Sequence, residues 1–107
     1  MEFFGGTIEA DSFDEAAAQM RKIVGSNLRT LREMRGLSLA QVSEGCGTYK
    51  DANGRVRPIV ASETLRNYEN GETSNYEKYC ALADFYGVSL GALGGRISFE
   101  PPRSEAV

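Results

Sequence analysis

The sequence predicts an all-α domain of five helices that is interrupted by a β-hairpin-like insertion at about residues 48–59. Apolar residues recur at steps of three and four from Phe13 to Met34, which is the spacing of one face of an α-helix. Glycines follow the later helical segments at the position where a helix ends in a left-handed residue. Asn53-Gly54 stands between a tyrosine and a valine, a pattern typical of two short strands joined by a turn.

The first helix is predicted to begin after Ser12 and to end at Gly36. Ser12 and Glu15 have the spacing of a capping box, in which the serine hydroxyl accepts from the third amide of the helix and Glu15 reaches back to the cap. Gly25 interrupts the helical pattern at a cost of about 1 kcal/mol relative to alanine. Residues 12–22 are therefore either the start of one long helix or a turn that packs separately.

Four shorter helices follow, each preceded by a capping residue or followed by a glycine. The second helix starts after Ser38 and must pack against its neighbours, because isolated helices of fewer than about 12 residues are marginal in water. The predicted segments are residues 39–44, 62–70, 76–86 and 90–93.

Between the second and third helices, residues 48–59 are predicted to form a small β-ribbon or an ordered loop. Asn53-Gly54 is the preferred pair for a type I′ hairpin turn, in which both central residues have positive φ. Pro58 ends the strand-like run because proline has no backbone N–H to donate.

The composition argues against an enzyme. The chain has no histidine, so the commonest general base and the commonest metal ligand are both missing. Cys46 and Cys80 lie far apart in sequence and are predicted to pack in the core, since a zinc site would pair them closely with other ligands. The sequence indicates no catalytic residue, no metal site and no cofactor.

The charges divide the chain into three parts. Residues 1–20 carry five acidic residues and no cation, residues 21–60 carry eight cations and three acidic residues, and residues 61–107 carry four cations and seven acidic residues. The resulting charges of −5, +5 and −3 predict a basic surface on the central segment, although a mixed-charge helix with solvated faces has the same pattern. We interpret residues 1–20 as an acidic extension, residues 21–95 as the domain and residues 96–107 as a tail.

We expect a cytoplasmic protein that does not associate with membranes. No run approaches the roughly 20 apolar residues that span a bilayer, and the first residues lack the basic start of a secretory signal. In the tail, Ile97 and Phe99 alternate with polar residues, as in a short strand able to pair across a dimer.

Three segments carry a resemblance to a known family: residues 28–38 (LRTLREMRGLS), residues 64–71 (TLRNYENG) and residues 81–90 (ALADFYGVSL). Together with Val42 they resemble the Cro and phage-repressor type of helix-turn-helix domain, also called the XRE or lambda-repressor-like family. The resemblance covers about residues 23–94. It implies a compact five-helix DNA-binding domain, with the insertion placed between the two helices of the helix-turn-helix.

The resemblance also implies roles for individual residues. Residues 61–70 would form a recognition helix in the major groove of double-stranded DNA, with an Arg32–Glu69 salt bridge holding it in place. The implied base-reading residues are Ser62, Glu63, Arg66 and Asn67, and the DNA-backbone residues are Ser38, Gln41, Lys50, Arg55, Arg57 and Asn75. In the alternative interpretation, the polar face of residues 61–70 and the insertion are solvated and contact nothing. Arg32 and Glu69 are then two unrelated surface charges.

Three features depart from the family pattern. Leu39 stands where the family usually has a glutamine that grips a phosphate, and the connection after Gly71 opens with the acidic Glu72. The insertion lengthens the turn of the motif, at a small cost because closing a longer surface loop adds little entropy.

Two functions are compatible with these observations. The first is a sequence-specific transcription regulator, a repressor of the phage, mobile-element or toxin-antitoxin kind, which binds a pseudo-palindromic site as a homodimer and needs no cofactor. The second is a protein-interaction module on the same fold, an anti-activator or antitoxin with weak or no DNA binding. Glu63, Leu39, Glu72 and the net charge of −3 favour the second, whereas the resemblance favours the first.

Overall fold

A computed structural model describes residues 8–94 of the chain. In this part, five helices and one two-stranded antiparallel ribbon follow one another in the order α1 (Phe13–Met34), α2 (Leu39–Gly45), β1 (Thr48–Lys50), β2 (Val56–Pro58), α3 (Ser62–Glu69), α4 (Tyr76–Tyr86) and α5 (Leu90–Leu93). The predicted fold, five helices with a hairpin inserted between the second and third, is confirmed. The strand pairing predicted for Ile97 and Phe99 lies outside the described residues.

The helix ends follow local signals, with one correction. Ser12 Oγ accepts from the Glu15 amide at 3.1 Å, but the Glu15 carboxylate accepts from the amide of Asp11 and not from that of Ser12. The reciprocal capping box predicted for α1 is therefore wrong in its second half. A complete capping box is present at α2 instead, where Ser38 and Gln41 bond each other's amides.

α1 is one continuous helix through Gly25, and the close contact of α1 with α3 at this position requires a glycine. A Cβ at this position would lie 2.2 Å from the carbonyl oxygen of Tyr68 and 2.7 Å from that of Glu69. The helix-interior cost of glycine is thus offset by the packing of α1 on the end of α3. The predicted boundary between residues 20 and 21 falls inside this helix, and the division of the chain at that point stays a prediction.

All five helices contribute to the core, in which α1 packs on α3 and α5, α2 packs on α3, and α4 packs on α5. Tyr68 of α3 meets Tyr79 of α4 edge to face, with ring centroids 5.1 Å apart. The largest fully buried side chains are those of Tyr86, Leu28, Leu65, Leu82, Leu93, Val42 and Val60. Cys46 packs against this core as a partly buried residue.

The inserted hairpin pairs Thr48 with Pro58 and Lys50 with Val56, and all its strand residues are exposed. Its turn differs from the predicted type I′. Among the described residues only glycines have positive φ, so Asn53 does not, whereas Gly54 has φ of 79°. A two-residue type I′ turn is wrong here because the loop between Lys50 and Val56 has five residues: the Gly54 amide donates to the Asp51 carbonyl at 3.0 Å, and the Asp51 side chain accepts from two further loop amides.

Candidate nucleic-acid interface

The four predicted base-reading residues lie on one face of α3. Glu63 and Arg66 are exposed, and Ser62 and Asn67 are half-buried at the edges of the same face. The opposite face is buried and consists of Leu65, Tyr68 and Glu69. Among residues 8–94, neither Glu63 nor Arg66 forms an ion pair, so both are available to an external partner.

A buried carboxylate fixes the C-terminal end of α3 to α1. Arg32 binds Glu69 through two hydrogen bonds, Nε to Oε2 at 2.7 Å and a terminal nitrogen to Oε1 at 2.9 Å. The Glu69 side chain is only 2% exposed, and its hydrogen bond raises the pKa of Arg32. Arg29 adds a longer contact to Glu69 at 3.5 Å and donates to Asn70 at 2.8 Å. The predicted pair Arg32 and Glu69 is thus in direct contact, and α3 cannot rotate without breaking it.

The N-terminal end of α3 is fixed to α2 by a buried hydrogen bond. The Ser43 hydroxyl donates to the carbonyl of Val60 at 2.6 Å, and Val60 itself is fully buried. One residue earlier, the amide of Ile59 donates to the carbonyl of Gly47 at 3.0 Å and closes the base of the hairpin. The hairpin therefore leaves and re-enters the domain at fixed points directly before α3.

At the N-terminus of α2, Ser38 and Gln41 are exposed and bond each other. The Gln41 amide donates to Ser38 Oγ at 3.1 Å, and Gln41 Oε1 accepts from the Ser38 amide at 2.8 Å. Because a glutamine side chain carries one acceptor and one NH₂ group, the bond through Oε1 leaves the NH₂ group to donate elsewhere. Together with the amides of a helix N-terminus, this group is suited to a phosphate oxygen.

The hairpin presents three cations, one of which is already paired. Arg57 Nε lies 2.7 Å from Asp51 Oδ2, while Lys50 and Arg55 form no ion pair within residues 8–94. Asp51 Oδ1 also accepts from the amides of Asn53 and Arg55, at 2.9 and 3.0 Å. These bonds, the one from Arg57 first, hold the pKa of Asp51 below its usual value. Lys50 and Arg55 are the free charges of this element.

Asn75 lies apart from this group, at the start of α4. Its side-chain oxygen accepts from the Lys78 amide at 2.9 Å and caps the helix. The side chain is exposed, so its NH₂ group is accessible to solvent.

Two features of this surface were missed by reasoning from the sequence. The first is Asp51, whose side chain bonds two amides of the hairpin loop. The sequence contained a signal for this role, because aspartate side chains often accept from the backbone two residues further on. Arg29 joins the Arg32–Glu69 pair from the preceding turn of α1, and no local sequence signal links it to Glu69, 40 positions away. The described residues contain no cluster of potential metal ligands.

The chain is similar to known helix-turn-helix proteins. A family model described as a helix-turn-helix domain matches residues 23–93. Among solved structures, the crystal structure of the DNA-binding domain of BldD is similar to this chain, with 31% sequence identity and a TM-score of 0.52. That similarity covers 71% of this chain and 94% of the BldD chain. A search of curated proteins found no match.

Proposed function

The chain belongs to the helix-turn-helix domain family, as the resemblance in its sequence predicted, and on this premise we propose that it is a sequence-specific DNA-binding transcription regulator. The observation that carries the proposal is the exposed polar face of α3, which two buried contacts, Arg32–Glu69 and Ser43–Val60, fix at both ends. A rigid helix with free polar groups on one side is what base recognition in the major groove requires. The similarity to the DNA-binding domain of BldD supports the same function.

Four side chains of α3 are proposed to read bases. Arg66 suits the paired acceptors of guanine, Asn67 the donor and acceptor of adenine, and Glu63 the amino group of cytosine. Ser62, at the first turn, is able to bond either kind of base. Each such pair contributes about 1 to 3 kcal/mol of discrimination against the wrong base.

The proposed backbone contacts come from three other elements, α2, the hairpin and α4. Ser38 and Gln41 present donors at the N-terminus of α2, and Asn75 presents one at the N-terminus of α4. Lys50 and Arg55 supply free charges from the hairpin, whereas Arg57 must share its charge with Asp51. These groups would set the position of the domain on DNA without selecting sequence.

Regarding its biological role, we propose a repressor of the phage, mobile-element or toxin-antitoxin kind. It would act in the cytoplasm as a homodimer on a pseudo-palindromic site, with no cofactor and no catalytic step, by occluding a promoter. Paired half-sites are expected because a twofold dimer places two recognition helices in successive major grooves. No helix within residues 8–94 is long and apolar enough to cross a membrane.

Selection of binding sites from random duplex DNA, followed by affinity measurements at two salt concentrations, tests this function. An inverted repeat with half-site centres about 10 to 10.5 base pairs apart should be enriched. Arg66→Ala should weaken binding to the selected site by about 1 to 3 kcal/mol. Arg66→Lys is the matched control, since it keeps the charge and the salt dependence but loses the planar two-point contact.

The backbone contacts have a separate signature in the same assay. Lys50→Ala should weaken binding equally on selected and scrambled DNA and should reduce the slope of log K against log salt by about 1. Lys50→Arg should leave that slope unchanged. If no sequence is enriched and binding is negligible even at low salt, the proposed function is wrong.

A second candidate is a protein-interaction module that uses the same helix face. It is favoured by Glu63, an exposed carboxylate on that face, and by the net charge of −3. A carboxylate near phosphates opposes DNA binding unless it accepts from a cytosine. Glu63→Gln therefore separates the two: in a DNA reader it should reduce the preference for the selected site over scrambled DNA, whereas in a protein-interaction module it should raise non-specific DNA affinity without any sequence preference to lose.

A further inference from the structure

A shallow groove with apolar walls lies along the N-terminal half of α1, on the side that faces α4. It has a volume of about 240 Å³ and is lined by Phe13, Ala17, Met20, Arg21 and Val24 of α1, by Tyr79 of α4 and by Ser74 just before α4. Phe13 is 79% exposed and Met20 is 41% exposed, so the apolar stripe that the sequence places on α1 lacks a cover here within the described residues. The same stripe is buried in the core further along the helix, at Leu28 and Leu31.

One polar atom in this groove has no partner. Arg21 Nε is buried and makes no hydrogen bond within residues 8–94. A buried donor without an acceptor costs about 1 to 3 kcal/mol, so an occupant that brings an acceptor would be favoured over a purely apolar one. An extended peptide supplies both requirements, because its side chains alternate between faces and its backbone carbonyls are free.

The described chain ends beside this groove. The Asn27 side chain donates to the carbonyl of Leu93 at 2.8 Å, which places the end of α5 on α1 one turn beyond Val24. Asn27 belongs to the same stripe of α1 as Met20 and Val24, seven and three residues before it. Met20 is then about 10 Å and Phe13 about 21 Å from Asn27 along the helix axis, at a rise of 1.5 Å per residue.

We propose that the segment after Gly94 runs back along α1 and covers this groove, with Ile97 and Phe99 on the apolar stripe. In extended form these residues reach about 10 and 16 Å beyond Gly94, at about 3.3 Å per residue, which brings them level with Met20 and Ala17. Ile97 and Phe99 are two residues apart, so an extended chain turns both toward α1 and turns Ser98 away. A backbone carbonyl of this segment would accept from Arg21 Nε.

Two other occupants fit the described contacts less well. The N-terminal segment carries Phe3 and Phe4, but the chain before α1 runs beside Gln19, whose side chain donates to the carbonyl of Glu9 at 2.9 Å. Gln19 lies about 100° around the helix from Met20, away from the stripe. A second copy of the chain would have to displace a segment that is tethered next to the groove, whose local concentration is set by a short linker.

Tryptophan fluorescence tests this proposal cleanly, because the chain has no tryptophan of its own. Phe99→Trp places a single reporter at the proposed contact, and Ser98→Trp places the matched control on the opposite side of the same segment. The Phe99→Trp emission should be shifted to shorter wavelength and should be quenched severalfold less by iodide than that of Ser98→Trp. The comparison is made on the full chain over a wide range of protein concentrations.

A second substitution connects the reporter to the groove. Met20→Glu should raise iodide quenching of the Phe99→Trp reporter to the level of the Ser98→Trp control. Met34→Glu, at an exposed apolar residue on the other end of α1, should leave it unchanged. Far-UV circular dichroism checks that both variants remain folded.

Equal quenching of the two reporters would overturn the proposal. Protection of Phe99→Trp that grows with protein concentration would also overturn it, because the groove would then hold a second copy. Protection that is independent of concentration and removed by Met20→Glu but not by Met34→Glu would establish it. These outcomes do not depend on whether the protein binds DNA.

Discussion

Replacing Gly25 by alanine should destabilise this protein, although the same change usually stabilises a helix. In an exposed helix interior, alanine is favoured over glycine by about 1 kcal/mol. Here the added Cβ would lie 2.2 Å from the carbonyl oxygen of Tyr68 and 2.7 Å from that of Glu69. Both are backbone atoms, so no side chain is able to rotate away and the two helices must separate.

The magnitude follows from the two opposing effects. Cβ atoms essentially never approach another heavy atom closer than 3.0 Å, so the contact with Tyr68 must lengthen from 2.2 Å to at least that value. Overpacking of this kind costs about 1 to 3 kcal/mol, and the rigid backbone places this site at the upper end. After subtraction of the gain in helix propensity, about 2 kcal/mol of net destabilisation is expected for Gly25→Ala.

Urea denaturation followed by circular dichroism measures this change, provided that the slope of the transition stays constant. Ser26→Ala is the matched control, since Ser26 is the next residue of the same helix and is exposed. It should stabilise the protein by about 0.5 kcal/mol through helix propensity alone. If Gly25→Ala is as stable as the unmodified chain or more so, the close approach of α1 to α3 is refuted.

Three further predictions concern other parts of the structure. Arg32→Met should lower the free energy of unfolding by about 3 kcal/mol, because it leaves the buried carboxylate of Glu69 with only the 3.5 Å contact to Arg29. Adding Glu69→Leu should restore much of the loss in urea denaturation, and a double variant less stable than the single one would contradict this. Burial raises the pKa of Tyr86 to about 12, and its hydroxyl lacks a hydrogen-bond partner within residues 8–94. Tyr86→Phe should therefore raise the free energy of unfolding by about 1 kcal/mol. Because the native state keeps this proton above the ordinary tyrosine pKa of 10.0, the unmodified protein loses stability as pH rises from 10.0 toward 12, and Tyr86→Phe should weaken that loss. An unchanged dependence of stability on pH in alkaline denaturation would count against this reasoning. The lowered pKa of Asp51 means that its contribution to hairpin stability is present above the ordinary pKa of 3.8 and is lost as pH falls below it. Arg57→Ala should raise the midpoint of the Asp51 titration, measured by NMR on the hairpin amides. An unshifted midpoint would show that Arg57 does not hold the carboxylate.

The helices and most of their ends could be predicted because their signals are local. Serine and asparagine caps act on amides two or three residues away, and glycines such as Gly36 and Gly87 end helices with positive φ. The family pattern also pointed to Arg32 and Glu69, which the structure joins across 37 positions of sequence. The proposed base-reading face came from the family resemblance, and the helix agrees with it only in placing Glu63 and Arg66 opposite the buried Leu65 and Tyr68.

The sequence alone therefore determined which segments are helical, where they stop and which side of each is apolar. Only the tertiary structure decided that Gly25 is a contact site, that the Asp51 side chain accepts from the loop amides, and that Gln41 uses its oxygen on the Ser38 amide. It also decided which half of the apolar stripe on α1 is buried and which half, from Phe13 to Met20, forms a groove. The physical reason is range: caps, turns and periodicity act between residues a few positions apart, whereas these features depend on which distant segments meet, and a one-dimensional pattern does not specify those contacts.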